Sequence, residues 1–198
     1  LMLSLAREIP QADASTQAGK WEKNRFMGVE ITGKTLGVIG CGNIGAIVCD
    51  RAQGLKMKVI GYDPFLSPER AKDLGVEKVE LDELLSESDV VSIHLLLNDE
   101  TRGLVSRACI EAMKPGVILV NTARGAIVDE EAMIEALNSG QIRHAGLDVF
   151  NTEPLPAAHP LTKLQNVTLS AHSAFRTPEA SENLIAAAWA HCRRIAKG

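Results

Sequence analysis

Six consecutive residues, Gly40-Cys41-Gly42-Asn43-Ile44-Gly45, carry the clearest chemistry in the sequence. They follow a Leu-Gly-Val-Ile run, and the apolar spacing from Ile44 onward predicts that a helix opens at their end. A loop of this kind works through its backbone. Glycine at 40 permits a tight turn, glycine at 42 leaves no side chain between the main chain and an approaching diphosphate, and glycine at 45 lets helix and strand pack closely. The anion then meets free N–H groups at the positive end of the helix dipole. Eighteen residues beyond Gly45 stands Asp63, in Gly61-Tyr62-Asp63-Pro64 at the end of the next Val/Ile-rich run. A carboxylate there accepts hydrogen bonds from ribose hydroxyls and repels a 2′-phosphate, which favours NAD over NADP as cofactor. A lone G-x-G-x-x-G also serves ordinary turns, and Asp-Pro often begins one. Strand, loop, helix, strand and acid in register together point to a dinucleotide.

The elements that must hold these residues follow from periodicity. Nearly continuous apolar runs at 35–39, 57–62, 89–94, 117–121, 145–149 and 167–170 predict strands buried on both faces. Helical spacing lies between them, at 44–53, 68–74, 81–87, 107–113 and 130–138, with a last helix from Pro178 to about Ile195. Pro68 after Ser67 and Gly140 after Asn138 are start and stop signals. This alternation predicts an α/β fold of Rossmann type, a doubly wound parallel sheet with helices on both faces. Residues 1–18 read as one helix and 19–33 as an irregular connector. The expected division is an entering helix and connector at 1–33, a dinucleotide-binding domain at 34–177 and a C-terminal helix at 178–198. With no Met at position 1 and a start inside an apolar-periodic stretch, the chain is expected to begin within a longer protein.

Bulk properties narrow the partners. Of 198 residues 45% are hydrophobic and 23% charged, the balance of a globular chain with one sizeable core. A net charge of -4 offers no field to attract nucleic acid or an acidic membrane surface, so neither is expected as a partner. Nowhere do 18 apolar residues run together. Cys41, Cys49, Cys109 and Cys192 form no C-x-x-C pair and have no histidine at ligand spacing, so no metal site and no disulfide framework is expected, and a cytoplasmic location fits.

Five blocks in order give a resemblance. Gly40 to Gly45, Tyr62-Asp63-Pro64, Asn121-Thr122-Ala123-Arg124-Gly125 with Val128-Asp129, Gly146-Leu147-Asp148-Val149-Phe150 with Glu153-Pro154, and Ser170-Ala171-His172-Ser173-Ala174 resemble the successive signatures of the D-2-hydroxyacid dehydrogenases. Residues 20–68 are most similar to the D-3-phosphoglycerate dehydrogenase branch, whereas the stretch around His172 looks more like other branches. The resemblance implies a cofactor domain alone, without the domain that grips the substrate's distal end. It also implies pairing through this domain, hence a homodimer, and a 2-hydroxy acid or 2-oxo acid as substrate.

By the same resemblance Arg124, Glu153 and His172 are the catalytic set. Imidazole, with an ordinary pKa of about 6.5, can take a hydroxyl proton as hydride leaves and return it near neutrality. A carboxylate beside it fixes which ring nitrogen faces the substrate, the role implied for Glu153. The planar fork of Arg124 suits a substrate carboxylate or the developing carbonyl oxygen. Asn43 and Ile44 are expected at the diphosphate, Thr122 and Ala123 beside the nicotinamide, and Asp148 on its carboxamide. His94 ends a strand next to the expected groove, while His144, His159 and His191 read as structural or exposed. Two departures from the family pattern stand out. Leu95-Leu96-Leu97 replaces the usual Thr-Pro or similar pair after His94, and the residues around His172 lack the usual proline and glycines, with Phe175 expected to narrow the substrate space. An NAD-binding dimeric module without turnover, isolated or serving as a corepressor-like scaffold, is the alternative to an enzyme. A methyltransferase-type Rossmann domain is a weaker rival.

Overall fold

The structure, a computed structural model, describes residues 1–196. In chain order its elements are α1 (Met2–Ala6), α2 (Ile9–Gln17), β1 (Thr35–Ile39), α3 (Asn43–Gly54), β2 (Lys58–Tyr62), α4 (Pro68–Asp73), β3 (Glu77–Lys78), α5 (Leu81–Glu87), β4 (Val90–Ile93), α6 (Arg107–Ala112), β5 (Val117–Asn121), α7 (Glu130–Ser139), β6 (Ile142–Leu147), β7 (Val167–Leu169) and α8 (Pro178–Ala196). Single turns of 3-10 helix lie at Gly125–Ile127 and Pro160–Lys163. The last two residues of the expected 178–198 segment lie outside the described residues.

Successive strand side chains point to opposite faces, so a sheet covered on both must be apolar at every position. Leu36 and Val38 of β1 share one face with Val90, Ile118 and Val120, and there they join Leu5 of α1, Cys49 of α3 and Ala71 of α4. Ile39, Val91, Ile93 and Leu119 feed the other face, against Leu84 of α5, Ile110 of α6 and Met133 of α7. All seven strands run parallel in the order β3-β2-β1-β4-β5-β6-β7. The chain reverses its direction of winding between β1 and β4, and open sheets of this kind bind ligands at the strand carboxyl ends beside that point. The doubly wound Rossmann architecture expected from the sequence is therefore the fold observed.

Local signals explain the helix ends. Ser67 Oγ accepts the Arg70 N–H at 3.1 Å with Pro68 in the first position, and Asp129 Oδ1 accepts the Ala132 N–H at 3.0 Å. Three readings need correction. The single helix expected over 1–18 is two, because in a continuous helix Pro10 would strike the Ala6 carbonyl and could not donate; Glu8 instead takes φ 51° between α1 and α2. The two-residue edge strand β3 was not expected, being exposed Glu and Lys with no apolar signal. β6 begins three residues earlier than expected, at Ile142, since Arg143 and His144 hid the strand pattern and the ladder to β5 shifts register there.

Candidate functional site

The glycine loop bridges β1 and α3. Gly40 has φ +93°, and a side chain on it would meet the His94 carbonyl at 2.8 Å, so the turn is both left-handed and tight. A Cβ on Gly45 would lie 2.0 Å from the Gly40 carbonyl oxygen, which is how closely the helix start packs on the loop. A Cβ on Gly42 would meet nothing within 4 Å; the space above that backbone is open. Ala46 N–H bonds back to the Gly42 carbonyl (2.9 Å), and the amides of Asn43, Ile44 and Gly45 before it form the helix's positive end. Asn43 and Ile44 are exposed beside this opening.

Asp63, just past the end of β2, stands against the same loop. Its Oδ2 accepts the Cys41 N–H at 2.9 Å and its Oδ1 the Phe65 N–H at 2.9 Å. A carboxylate accepts about four hydrogen bonds, so two backbone donors orient it and leave capacity for vicinal hydroxyls. An open diphosphate cradle with an oriented acid one strand away is a donor and acceptor set that fits a dinucleotide.

Further along the sheet edge, Asn121 ends β5 and clamps the following turn. Its Oδ1 accepts the Ala123 N–H (3.0 Å) while its Nδ2 donates to the Arg124 carbonyl (2.9 Å). Thr122 lines a cleft of about 370 Å³ with His94, Ser170, Ser173 and Ala174. Ala123 is 7% exposed and belongs to the core, and it is not among the residues lining that cleft. Arg124 is exposed, with Nη1 donating to the Ala123 carbonyl at 2.6 Å. Gly125 packs backbone to backbone: a Cβ there would sit 2.2 Å from the Phe150 carbonyl carbon. That contact joins the Arg124 turn to the segment carrying Glu153.

Glu153 and His172 line a cavity of about 650 Å³ together with Phe150, Leu155 and Leu169. His172 Nδ1 lies 2.8 Å from Glu153 Oε2, and Glu153 Oε1 accepts the Phe150 N–H at 3.0 Å. The hydrogen bond to His172, then that from Phe150, hold the Glu153 carboxyl below its ordinary pKa, so it is ionised near neutrality. His172 has φ 50°, a conformation costing about 1–3 kcal/mol for a residue with a side chain. Phe175 approaches the imidazole edge-on, with ring centroids 6.4 Å apart.

Asp148, just past the end of β6, is 1% exposed. It accepts from Ser170 Oγ (2.5 Å), the Ser173 N–H (2.9 Å) and the Ala174 N–H (3.0 Å). Burial pushes its carboxyl up, but those donors outweigh it and the pKa stays below the ordinary value. His94 pairs its Nε2 with Ser92 Oγ at 2.8 Å, and burial lowers its pKa to about 4, so the ring on the cleft wall is neutral. The site residues named from the sequence thus lie along one edge of the sheet, Arg124, Glu153 and His172 on neighbouring turns. Asn121, Gly125 and Ser170 stand in the blocks that carry the resemblance but have no role assigned from the sequence. An Asn before small residues at a strand end signals a side-chain-capped turn, whereas the closeness of Gly125 to Phe150 has no sequence signal.

The family model described as D-isomer specific 2-hydroxyacid dehydrogenase, NAD binding domain, matches residues 1–174. A D-3-phosphoglycerate dehydrogenase of Archaeoglobus fulgidus is 50% identical over 184 residues, which are 93% of this chain and 35% of the relative. The Methanocaldococcus jannaschii protein of the same name is 47% identical over 183 residues, 92% of this chain and 35% of that one. The chain therefore spans about a third of the length of the curated relatives it matches. Among solved structures, D-lactate dehydrogenase from Escherichia coli aligns with TM-score 0.83 at 40% identity, over 90% of this chain and 56% of its own. An acyclic imino acid reductase in complex with NADPH and D-Arg aligns with TM-score 0.84 at 34% identity, over 92% and 57%.

Proposed function

Because this chain belongs to the D-isomer-specific 2-hydroxyacid dehydrogenase family, as its NAD-binding domain, we propose that it serves an oxidoreductase moving hydride between a 2-hydroxy acid and its 2-oxo acid. The nicotinamide, when bound, supplies the carbon that takes or gives the hydride. His172 takes the hydroxyl proton in oxidation and returns it in reduction. Glu153 holds Nδ1 at 2.8 Å, so that Nε2 faces the reacting oxygen, and its negative charge stabilises the imidazolium that forms. Arg124 grips the substrate carboxylate with paired N–H donors. Asn43, Ile44 and the three loop glycines hold the diphosphate and Asp63 the adenosine ribose, which selects NAD over NADP. Thr122, the Ala123 backbone and Asp148 border the nicotinamide. The single observation that carries this reading is the His172–Glu153 pair lining a cavity at the same carboxyl edge of the sheet as the glycine loop.

For the substrate we propose 3-phosphoglycerate, after the names of the relatives that are 50% and 47% identical. A titration with NADH beside an assay with 3-phosphoglycerate and small 2-hydroxy acids tests both parts. Saturable NADH binding with turnover supports the enzyme reading. Saturable binding without turnover supports a second reading, an NAD-binding module, which the chain's coverage of about a third of its curated relatives favours for this chain on its own. No saturable binding contradicts both. We place the protein in a reducing compartment, the cytoplasm, on the strength of four free cysteines of which Cys41 and Cys49 are buried. No helix among the described residues is long and apolar enough to cross a membrane.

A further inference from the structure

His172 is not a glycine, yet it holds a left-handed backbone in the middle of an exposed turn. Something outside the turn must hold that shape. Four hydrogen bonds converge on one residue: Asp148 takes Ser170 Oγ, the Ser173 N–H and the Ala174 N–H on its carboxylate, and the His172 N–H on its carbonyl at 2.8 Å. Its own N–H donates to the Asn121 carbonyl at 3.0 Å, which ties it to the end of β5. Asp148 is 1% exposed, so these donors replace water around its carboxylate and are held strongly. Residues on both sides of His172 are therefore fixed to one buried anchor, and the imidazole between them has its backbone set before any ligand arrives.

We propose that Asp148 is a positioning residue for His172, its buried carboxylate holding residues 170–174 in the shape that turns Nδ1 toward Glu153. The catalytic consequence rests on the dehydrogenase reading; the geometry does not. A carboxylate that served only the nicotinamide carboxamide would have no effect on His172 in the ligand-free protein, and the two roles separate there.

The test is long-range 1H–15N NMR of the imidazole in the ligand-free chain, with Glu153→Gln identifying the Nδ1–H resonance bonded to the carboxylate. The expected result is loss of that resonance in Ser170→Ala and in Asp148→Asn, and its retention in Ser170→Thr, which keeps a hydroxyl beside Oδ1. An unchanged resonance in Ser170→Ala and Asp148→Asn overturns the proposal. If Asp148→Asn does not fold, the contrast between Ser170→Ala and Ser170→Thr decides: equal spectra overturn it, a loss restricted to alanine supports it. A wild-type chain that fails to bind NADH would sink the dehydrogenase reading and leave this result standing.

Discussion

The carboxylate of Asp63 accepts the Cys41 and Phe65 amides, and in the function proposed above it also holds the adenosine ribose of the dinucleotide. Replacing it by serine removes the repulsion of a 2′-phosphate together with the acceptor for ribose hydroxyls. Asp63→Ser is therefore expected to weaken NADH roughly tenfold, about 1.4 kcal/mol, and to narrow the NADH/NADPH ratio, as read by fluorescence titration of both. His94 offers a pH prediction. Burial lowers its pKa from 6.5 to about 4, so between those values the unfolded chain binds a proton that the folded chain refuses. Stability then rises with pH across that window: the contribution is intact above about 6.5 and falls away toward 4, by about 3 kcal/mol at most. His94→Gln keeps a polar partner for Ser92 Oγ and should flatten the melting temperature between pH 4 and 6.5; an unchanged slope would show that other groups set it.

At the scale of elements, much was written in the sequence because the buried parallel strands leave the plainest trace. The limits of β1 and β5 are those the apolar runs gave, since both strands are covered on both faces. What escaped depended on exposure or on distant backbone: β3 is exposed, β6 starts in Arg and His, and the break before α2 follows from Pro10 inside an otherwise helical spacing. The glycine loop was legible as a motif, and its strictest position now has a distance. A methyl at 45 would lie 2.0 Å from the Gly40 oxygen, so Gly45→Ala must push α3 away from the loop. The expected cost is about 1–3 kcal/mol in denaturant unfolding, with weaker NADH binding. A variant as stable as wild type would mean that the helix start yields more easily than its packing implies.

Among the described residues, apolar side chains are exposed near both ends of the chain as well as at Trp21, Phe65 and Leu96. In α8 no residue is buried, and Leu184, Ile185 and Trp189 are 68%, 59% and 65% exposed; Leu3 and Ile9 at the start of the chain are 52% and 53% exposed. Contiguous exposed apolar faces mark association sites. A homodimer through these helices is expected at micromolar concentration, and sedimentation that finds only a 21.3 kDa species would rule it out. The account as a whole depends on the glycine loop at the winding reversal between β1 and β4 being a dinucleotide site. A crystal structure of the chain grown with saturating NADH tests this most directly. The predicted density sets the diphosphate on the amides after Gly42 and the adenosine ribose hydroxyls on Asp63; NADH bound elsewhere, or an empty loop at saturation, would contradict it.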